Sequence, residues 1–143
     1  MTSQQLKHGL GSPRFFLSSP VRYRLLTYLI TLVWLVNGLL CKVLGLVPRH
    51  AAIVARILGP AYAGPLTRLI GLAEIGMAIW MVSGLYRRWC VVAQMVLVAV
   101  MNTLEAWLAP DLLLWGRANA LFASLFIALL YYYEFVLPRS SSR

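Results

Sequence analysis

Four apolar segments, each long enough to cross a bilayer, constrain the fold of this chain more than any other feature. A helix needs about 20 predominantly apolar residues to span the hydrocarbon core. The segments that meet this length are residues 25–45, 66–85, 89–108 and 118–137. Because the second and third connections are short, consecutive helices there should be antiparallel neighbours. We therefore predict an all-α polytopic membrane protein, built as an antiparallel four-helix transmembrane bundle.

The amino-acid composition agrees with a lipid environment. Hydrophobic residues make up 61% of the 143 residues and charged residues 12%, about half the charged share of a soluble domain. A soluble fold of this size would expose apolar patches that drive aggregation. The net charge is +9, but the cations lie at the edges of the apolar segments, where lipid head groups are found. We therefore expect the lipid bilayer as a partner, and no nucleic acid.

The distribution of cations predicts the orientation of the chain. Four crossings place both termini on one side of the membrane, and that side holds eight Lys and Arg residues against five on the other. The two sets are Lys7, Arg14, Arg22, Arg24, Arg87, Arg88, Arg139 and Arg143, and Lys42, Arg49, Arg56, Arg68 and Arg117. Because cytoplasmic loops carry the excess of cations, we predict that both termini are cytoplasmic. The chain then divides into a basic cytoplasmic N-terminal segment (residues 1–22), a transmembrane domain (23–138) and a cytoplasmic tail (139–143).

The first connection is the long one, and residues 51–58 within it are predicted to form a short helix that lies on the membrane surface or dips into it. In this topology Cys41 and Cys90 lie near opposite faces of the membrane. That separation far exceeds the roughly 6 Å between Cα atoms that a disulfide requires. Their spacing matches neither a CxxC redox motif nor a zinc site, and we assign no metal ligand.

Small and charged residues share stripes on the first two helices. At about 100° per residue, Gly38 and Lys42 fall on one stripe of the first helix, and Gly71 and Glu74 on one stripe of the second. Small residues let neighbouring helices approach closely. We therefore expect a neighbouring helix to approach the first stripe closely, with Lys42 at the outer end of that contact face. Lys42 is expected to pair with Glu74, whereas Asn37 points elsewhere.

Polar residues of all four helices fall at one depth. These residues, in the outer half of the bundle, are Lys42, Glu74, Asn102, Glu105 and Asn119. His50 and Trp115 come from the two outer connections and are placed to cap this polar layer. Three interpretations stay open: contacts that only hold the helices in register, a pocket for a ligand or quinone, and a path for protons or ions.

Charged and aromatic residues near the inner ends of the helices have simpler interpretations. Glu134 is predicted to form an interfacial salt bridge with Arg88 and Arg139. Tyr131, Tyr132 and Tyr133 are predicted to belong to the belt of aromatic residues at the membrane–water interface.

Short motifs along residues 24–137 resemble one family. The first helix ends in Gly38-Leu39-Leu40-Cys41-Lys42, Pro48-Arg49-His50 follows, and Gly71-Leu72-Ala73-Glu74 lies in the second helix. Leu114-Trp115 and Asn119 stand before and within the last helix. These motifs are similar to those of the DoxX-like membrane proteins. The resemblance implies a four-helix bundle in a bacterial inner membrane, and a link to quinone-dependent sulfur oxidation or to membrane partners of redox enzymes.

The leading functional hypothesis is an accessory membrane protein that binds a lipophilic small molecule, with quinone as one candidate, or a redox partner enzyme. Its candidate ligand-binding residues are Lys42, His50, Glu74, Asn102, Glu105, Trp115 and Asn119. The alternatives are a subunit of a quinone-linked oxidoreductase and a small transporter, the latter as a homo-oligomer because four helices are few for a carrier. We assign no catalytic residue and no cofactor.

Overall fold

The computed structural model describes residues 19–137, and every described element is helical. The helices are α1 (Ser19–Leu35), α2 (Pro48–Leu58), α3 (Ala63–Ser83), α4 (Arg87–Leu108) and α5 (Ala118–Tyr131). Two of them continue as π-helix, α1 through Val36–Val43 and α5 through Tyr132–Val136, and single 3-10 turns are formed by Pro60–Tyr62 and Pro110–Leu112. The predicted all-α fold is confirmed.

Four of these helices, taken with their extensions, are long and apolar enough to cross a membrane. They cover Pro20–Val43, Pro60–Ser83, Arg87–Leu108 and Ala118–Val136, so the four predicted crossings are confirmed with shifts of a few residues at their ends. Many of their large apolar side chains, Leu32, Leu72 and Ile79 among them, are more than half exposed. In water such a surface would aggregate, whereas in a bilayer it contacts lipid.

The four crossings define two ends of the bundle. The α2 end holds helix α2 and the connection at residues 109–117, while the terminal end holds the α3–α4 turn and both ends of the described chain. An exposed ion pair between Arg56 Nη1 and Asp111 Oδ1, 3.1 Å apart, joins α2 to the second connection. At the terminal end the three-residue turn contains left-handed Gly84 (φ 68°) and Tyr86 (φ 47°), which reverse the chain within a short space. The predicted cytoplasmic location of the termini stays a prediction, and most of the terminal segments 1–22 and 139–143 lies outside the described residues.

Helix α2 begins earlier than predicted, at Pro48 rather than at residue 51. Proline suits the first turn of a helix because its missing N–H has no intrahelical partner there and its φ is already helical. Ile53 and Val54 of α2 are buried, so this helix covers the α2 end of the bundle. Cys41 and Cys90 are both free thiols.

The core of the bundle lies between the two ends and is mostly apolar. Its buried side chains come from all four crossing helices and include Ile30, Ala78, Val91 and Leu130. One polar pair lies among them, because the Trp34 indole Nε1 donates to Gln94 Oε1 at 2.7 Å. That hydrogen bond satisfies both groups inside the core and links α1 to α4.

Candidate functional site

The π-helical end of α1 presents two polar side chains to the same residue of α3. Asn37 Nδ2 donates to Glu74 Oε1 at 3.2 Å, and Lys42 Nζ donates to the same oxygen. Residues five apart would diverge by about 140° on an α-helix, whereas the i→i+5 hydrogen bonds of a π-helix stack them on one face. The expectation that Asn37 points elsewhere is therefore wrong, because it assumed α-helical winding across Val36–Val43.

Two glycines bring the backbones of α1 and α3 together beside this ion pair. A Cβ on Gly38 would lie 2.6 Å from the carbonyl oxygen of Gly71, and a Cβ on Gly71 would lie 2.8 Å from the Lys42 Cβ. Neither glycine can be enlarged without separating the helices. The predicted pairing of Lys42 with Glu74 is confirmed, and it is this close crossing of α1 and α3 that places Lys42 against Glu74.

The Lys42–Glu74 ion pair is buried. Lys42 is 5% exposed and Glu74 1%. Desolvating two charges is costly, and removing only one partner of such a pair typically costs about 3–5 kcal/mol. Glu74 Oε2 is also buried, and it has no hydrogen-bond partner among the described residues. The carboxylate thus retains an unused acceptor, and the ammonium of Lys42, which can donate three hydrogen bonds, uses one on Glu74.

His50 and Glu105 extend the charged cluster at the α2 end. Burial, and then the nearby cations Lys42 and Arg49, lower the pKa of His50 from 6.5 to about 4, so its imidazole is neutral at pH 7. Glu105 of α4 interacts electrostatically with the same two cations and with Glu74. Four of the predicted site residues (Lys42, His50, Glu74 and Glu105) are therefore near enough to interact electrostatically.

A cavity of about 170 Å³ is lined by one member of this cluster, Lys42. Its wall is formed by the π-helical end of α1, the first turns of α2 and the first turns of α3, with Lys42, Thr67, Arg68 and Cys41 as its polar or titratable members. Thr67 is itself buried, and its hydroxyl donates to the Ala63 carbonyl at 2.6 Å. A dry cavity of about 150 Å³ in another protein holds one benzene molecule, so this space is large enough for a single six-membered ring.

The remaining predicted site residues lie elsewhere. Asn102 lines a separate groove of about 350 Å³ between α4 and α5, together with Thr103 and Ser124. Trp115 packs on Phe122, with ring centroids 4.6 Å apart. Asn119 lies in the first turn of α5, where its backbone N–H donates to the Gly116 carbonyl at 3.1 Å. Among the described residues none of these three side chains forms a hydrogen bond with the Lys42–Glu74 pair.

A second polar cluster, at the terminal end, was only partly predicted. Arg87 Nε donates to Glu134 Oε2 at 2.6 Å, and Arg88 Nε lies 3.7 Å from Glu134 Oε1. The predicted contact of Glu134 with Arg88 is confirmed, although the shorter bond is to Arg87, and Arg139 lies outside the described residues.

Tyr133 belongs to this second cluster rather than to the interface belt. It is 1% exposed, its ring stacks on Tyr23 at 4.7 Å, and its hydroxyl bonds those of Tyr23 and Thr27 at 2.5 and 2.8 Å. The belt prediction is wrong for this residue because the helix turns its side chain toward α1. The sequence signal was the pair of hydroxyl-bearing residues Tyr23 and Thr27, one turn apart on α1.

Comparison with known proteins adds one finding to this geometry. The model of the DoxX-like family matches residues 31–132, which is more than half of the chain. The chain belongs to the DoxX-like family. The predicted resemblance is thereby confirmed, and the match contains Lys42, His50, Glu74 and Glu105 of this DoxX-like protein. Searches of curated proteins and of solved structures found no match.

Proposed function

We propose that this DoxX-like protein is an accessory protein of a bacterial inner membrane, and that it binds the ring-shaped head group of a lipophilic small molecule of the quinone class. The observation that carries the proposal is the cavity of about 170 Å³ that is lined in part by Lys42, a residue whose ammonium is buried in an ion pair. A cavity of this size accepts one ring. Its position at the α2 end leaves an apolar tail free to lie in the surrounding lipid.

The chemistry of the cavity wall suits a quinone carbonyl. Quinone oxygens only accept hydrogen bonds, and Lys42 has donors beyond the one that it gives to Glu74. Arg68, also on the wall, supplies guanidinium donors. Hydrogen bonds from charged donors are the stronger ones, and they gain strength further in an environment of low dielectric constant.

The experiment is equilibrium binding of a short-tailed ubiquinone to the purified protein, followed by quenching of tryptophan fluorescence. Replacing Lys42→Met together with Glu74→Gln removes both charges, so that neither is left buried and unpaired. We expect the dissociation constant of this double variant to rise about tenfold or more, because a charge-assisted hydrogen bond is lost.

The matched control is Arg117→Gln, which removes an exposed cation from the same end of the bundle without touching the cavity. Its affinity should equal that of the unmodified protein. Unchanged affinity in the Lys42→Met/Glu74→Gln variant would mean that the ion pair only holds α1 and α3 in register. Absence of saturable binding by the unmodified protein would reject the quinone class outright.

A further inference from the structure

At the terminal end of the bundle, the buried carboxylate of Glu134 forms ion pairs with two arginines. Arg87 and Arg88 both approach Glu134 through Nε, at 2.6 and 3.7 Å, one to each carboxylate oxygen. The side chain of Glu134 is 3% exposed, whereas those of Arg87 and Arg88 are 37% and 80% exposed. The carboxylate is thus sealed inside the bundle, and the two guanidinium groups lie between it and the surface.

The position of Arg87 is fixed by a second contact. Its Cζ lies 5.0 Å from the centroid of the Tyr23 ring, and Tyr23 in turn stacks on buried Tyr133. A cation over an aromatic face is stabilised by the ring quadrupole. Because the carboxylate and the ring together restrict the rotamers of Arg87, little further conformational entropy is lost when this guanidinium binds a ligand.

Among the described residues, most donors of this arginine pair have no hydrogen-bond partner. A guanidinium carries five N–H donors in a planar fork, and the contacts to Glu134 involve only the Nε groups. Within residues 19–137 the terminal Nη groups of Arg87 and Arg88 have no hydrogen-bond acceptor. Two cations on one carboxylate also leave a net positive charge at this point.

The surroundings place the pair at the depth of lipid head groups. Tyr86 and Trp89, which flank the two arginines in sequence, are 72% and 71% exposed, and exposed Tyr and Trp side chains are typical of the membrane–water interface. The terminal end is the one predicted to face the cytoplasm, because it holds the cations Arg22, Arg24, Arg87 and Arg88. The cytoplasmic leaflet carries the anionic lipids.

We propose that Arg87 and Arg88 form a binding site for the phosphate group of an anionic phospholipid of the phosphatidylglycerol type. The planar fork of Arg87, held by Glu134 and Tyr23, and the exposed fork of Arg88 beside it match the oxygens of a phosphodiester, which guanidinium groups bind bidentately. Glu134 and Tyr23 act as positioning residues that hold the fork of Arg87 toward the head-group layer. This site lies at the opposite end of the bundle from the Lys42 cavity and does not depend on the function proposed for that cavity.

The test is native mass spectrometry of the full chain, purified in detergent with equal amounts of phosphatidylglycerol and phosphatidylcholine. The variant Arg87→Lys/Arg88→Lys keeps both charges, and the lysine that replaces Arg87 can still pair with Glu134, but the planar forks are lost. We expect the retained ratio of phosphatidylglycerol to phosphatidylcholine to fall about tenfold, the effect of losing a hydrogen bond to a charged group. Retention of the full preference by this variant would overturn the proposal, since attraction by net charge alone would then explain the binding.

Two further variants sharpen the result. Arg24→Lys changes an exposed arginine of the same end that does not contact Glu134, so it should leave the lipid ratio unchanged; a loss equal to that of the double variant would contradict a specific site. Arg88→Lys alone leaves the short Arg87–Glu134 bond in place, so it keeps the proposal testable should the double variant fold poorly, and it should lose part of the preference. No loss in this single variant would remove Arg88 from the site.

One more measurement distinguishes binding of a lipid head group from binding of free phosphate. Inorganic phosphate is added to the protein in phosphatidylcholine alone. We expect no retained phosphate adduct, because the interface supplies the remaining contacts of the lipid. A phosphate adduct that disappears in Arg87→Lys/Arg88→Lys would overturn the assignment to a lipid.

Discussion

The charge of the Lys42 ammonium acts on other residues besides the carboxylate that it contacts. It is buried with Glu74, and its charge also acts on His50 and Glu105. The sequence points to Glu74 and Glu105 by their depth in the bilayer, because an intramembrane charge requires a partner, and to His50 by its place in the connection that caps the same depth. It did not identify Asn37, since the assignment of faces assumed an α-helix, and nothing in the sequence VNGLLCKV marked the change to π-helical winding.

At the same scale, the titration of His50 tests whether that cluster is assembled. Burial, then Lys42 and Arg49, lower the pKa of His50 from 6.5 to about 4. Since the unfolded chain takes up this proton first as the pH falls below 6.5, the free energy of unfolding should decrease between pH 6.5 and 4. NMR of isotope-labelled histidine, with His8 replaced by Gln to leave one imidazole, should show a midpoint near pH 4.

Removal of the Lys42 charge should raise the pKa of His50 only part of the way toward 6.5, because burial is the larger cause. The control Arg56→Gln alters a cation of the same helix, α2, that pairs with Asp111 instead, and it should leave the titration where it was. A midpoint near 6.5 in the unmodified protein would show that His50 is neither buried nor near Lys42.

At the scale of the element, the crossing of α1 and α3 decides where the site residues lie. A Cβ on Gly38 would meet two backbone atoms of α3, Gly71 O at 2.6 Å and Ile75 N at 3.1 Å, and backbone cannot move aside as a flexible side chain can. We predict that Gly38→Ala destabilises the protein by about 1–3 kcal/mol, the usual cost of overpacking. Thermal unfolding in detergent measures this loss.

Gly76 provides the matched control for this prediction, because a Cβ there would meet nothing within 4 Å. Gly76→Ala should be as stable as the unmodified protein or slightly more so, since Ala favours a helix interior over Gly. Equal melting temperatures for Gly38→Ala and Gly76→Ala would show that α1 and α3 do not pack through this crossing.

At the scale of the whole molecule, the length and apolarity of the four segments were enough to predict the fold. In the bilayer core the backbone N–H and C=O groups of these apolar segments must bond to each other, which a helix achieves. The number of crossings therefore follows from counting the apolar segments that are long enough to span the core. The sequence predicts one polar layer and, at the inner ends of the helices, an interfacial salt bridge of Glu134, whereas the structure has a charged cluster at each end, separated by the core around Ile30 and Leu130. The cluster at the terminal end was underestimated because a π-helical segment, Tyr132–Val136, buries Tyr133 and Glu134.

The most direct test of the central claim, that the cavity beside Lys42 binds a quinone head group, is to fill that cavity. Gly64 lines it, and a side chain added there starts in open space, so Gly64→Leu should fold normally. Gly76→Leu adds the same side chain to the same helix, α3, away from the cavity. In the fluorescence titration with short-tailed ubiquinone, we predict that Gly64→Leu abolishes saturable binding while Gly76→Leu binds as the unmodified protein does. Equal binding by the two variants would contradict the claim.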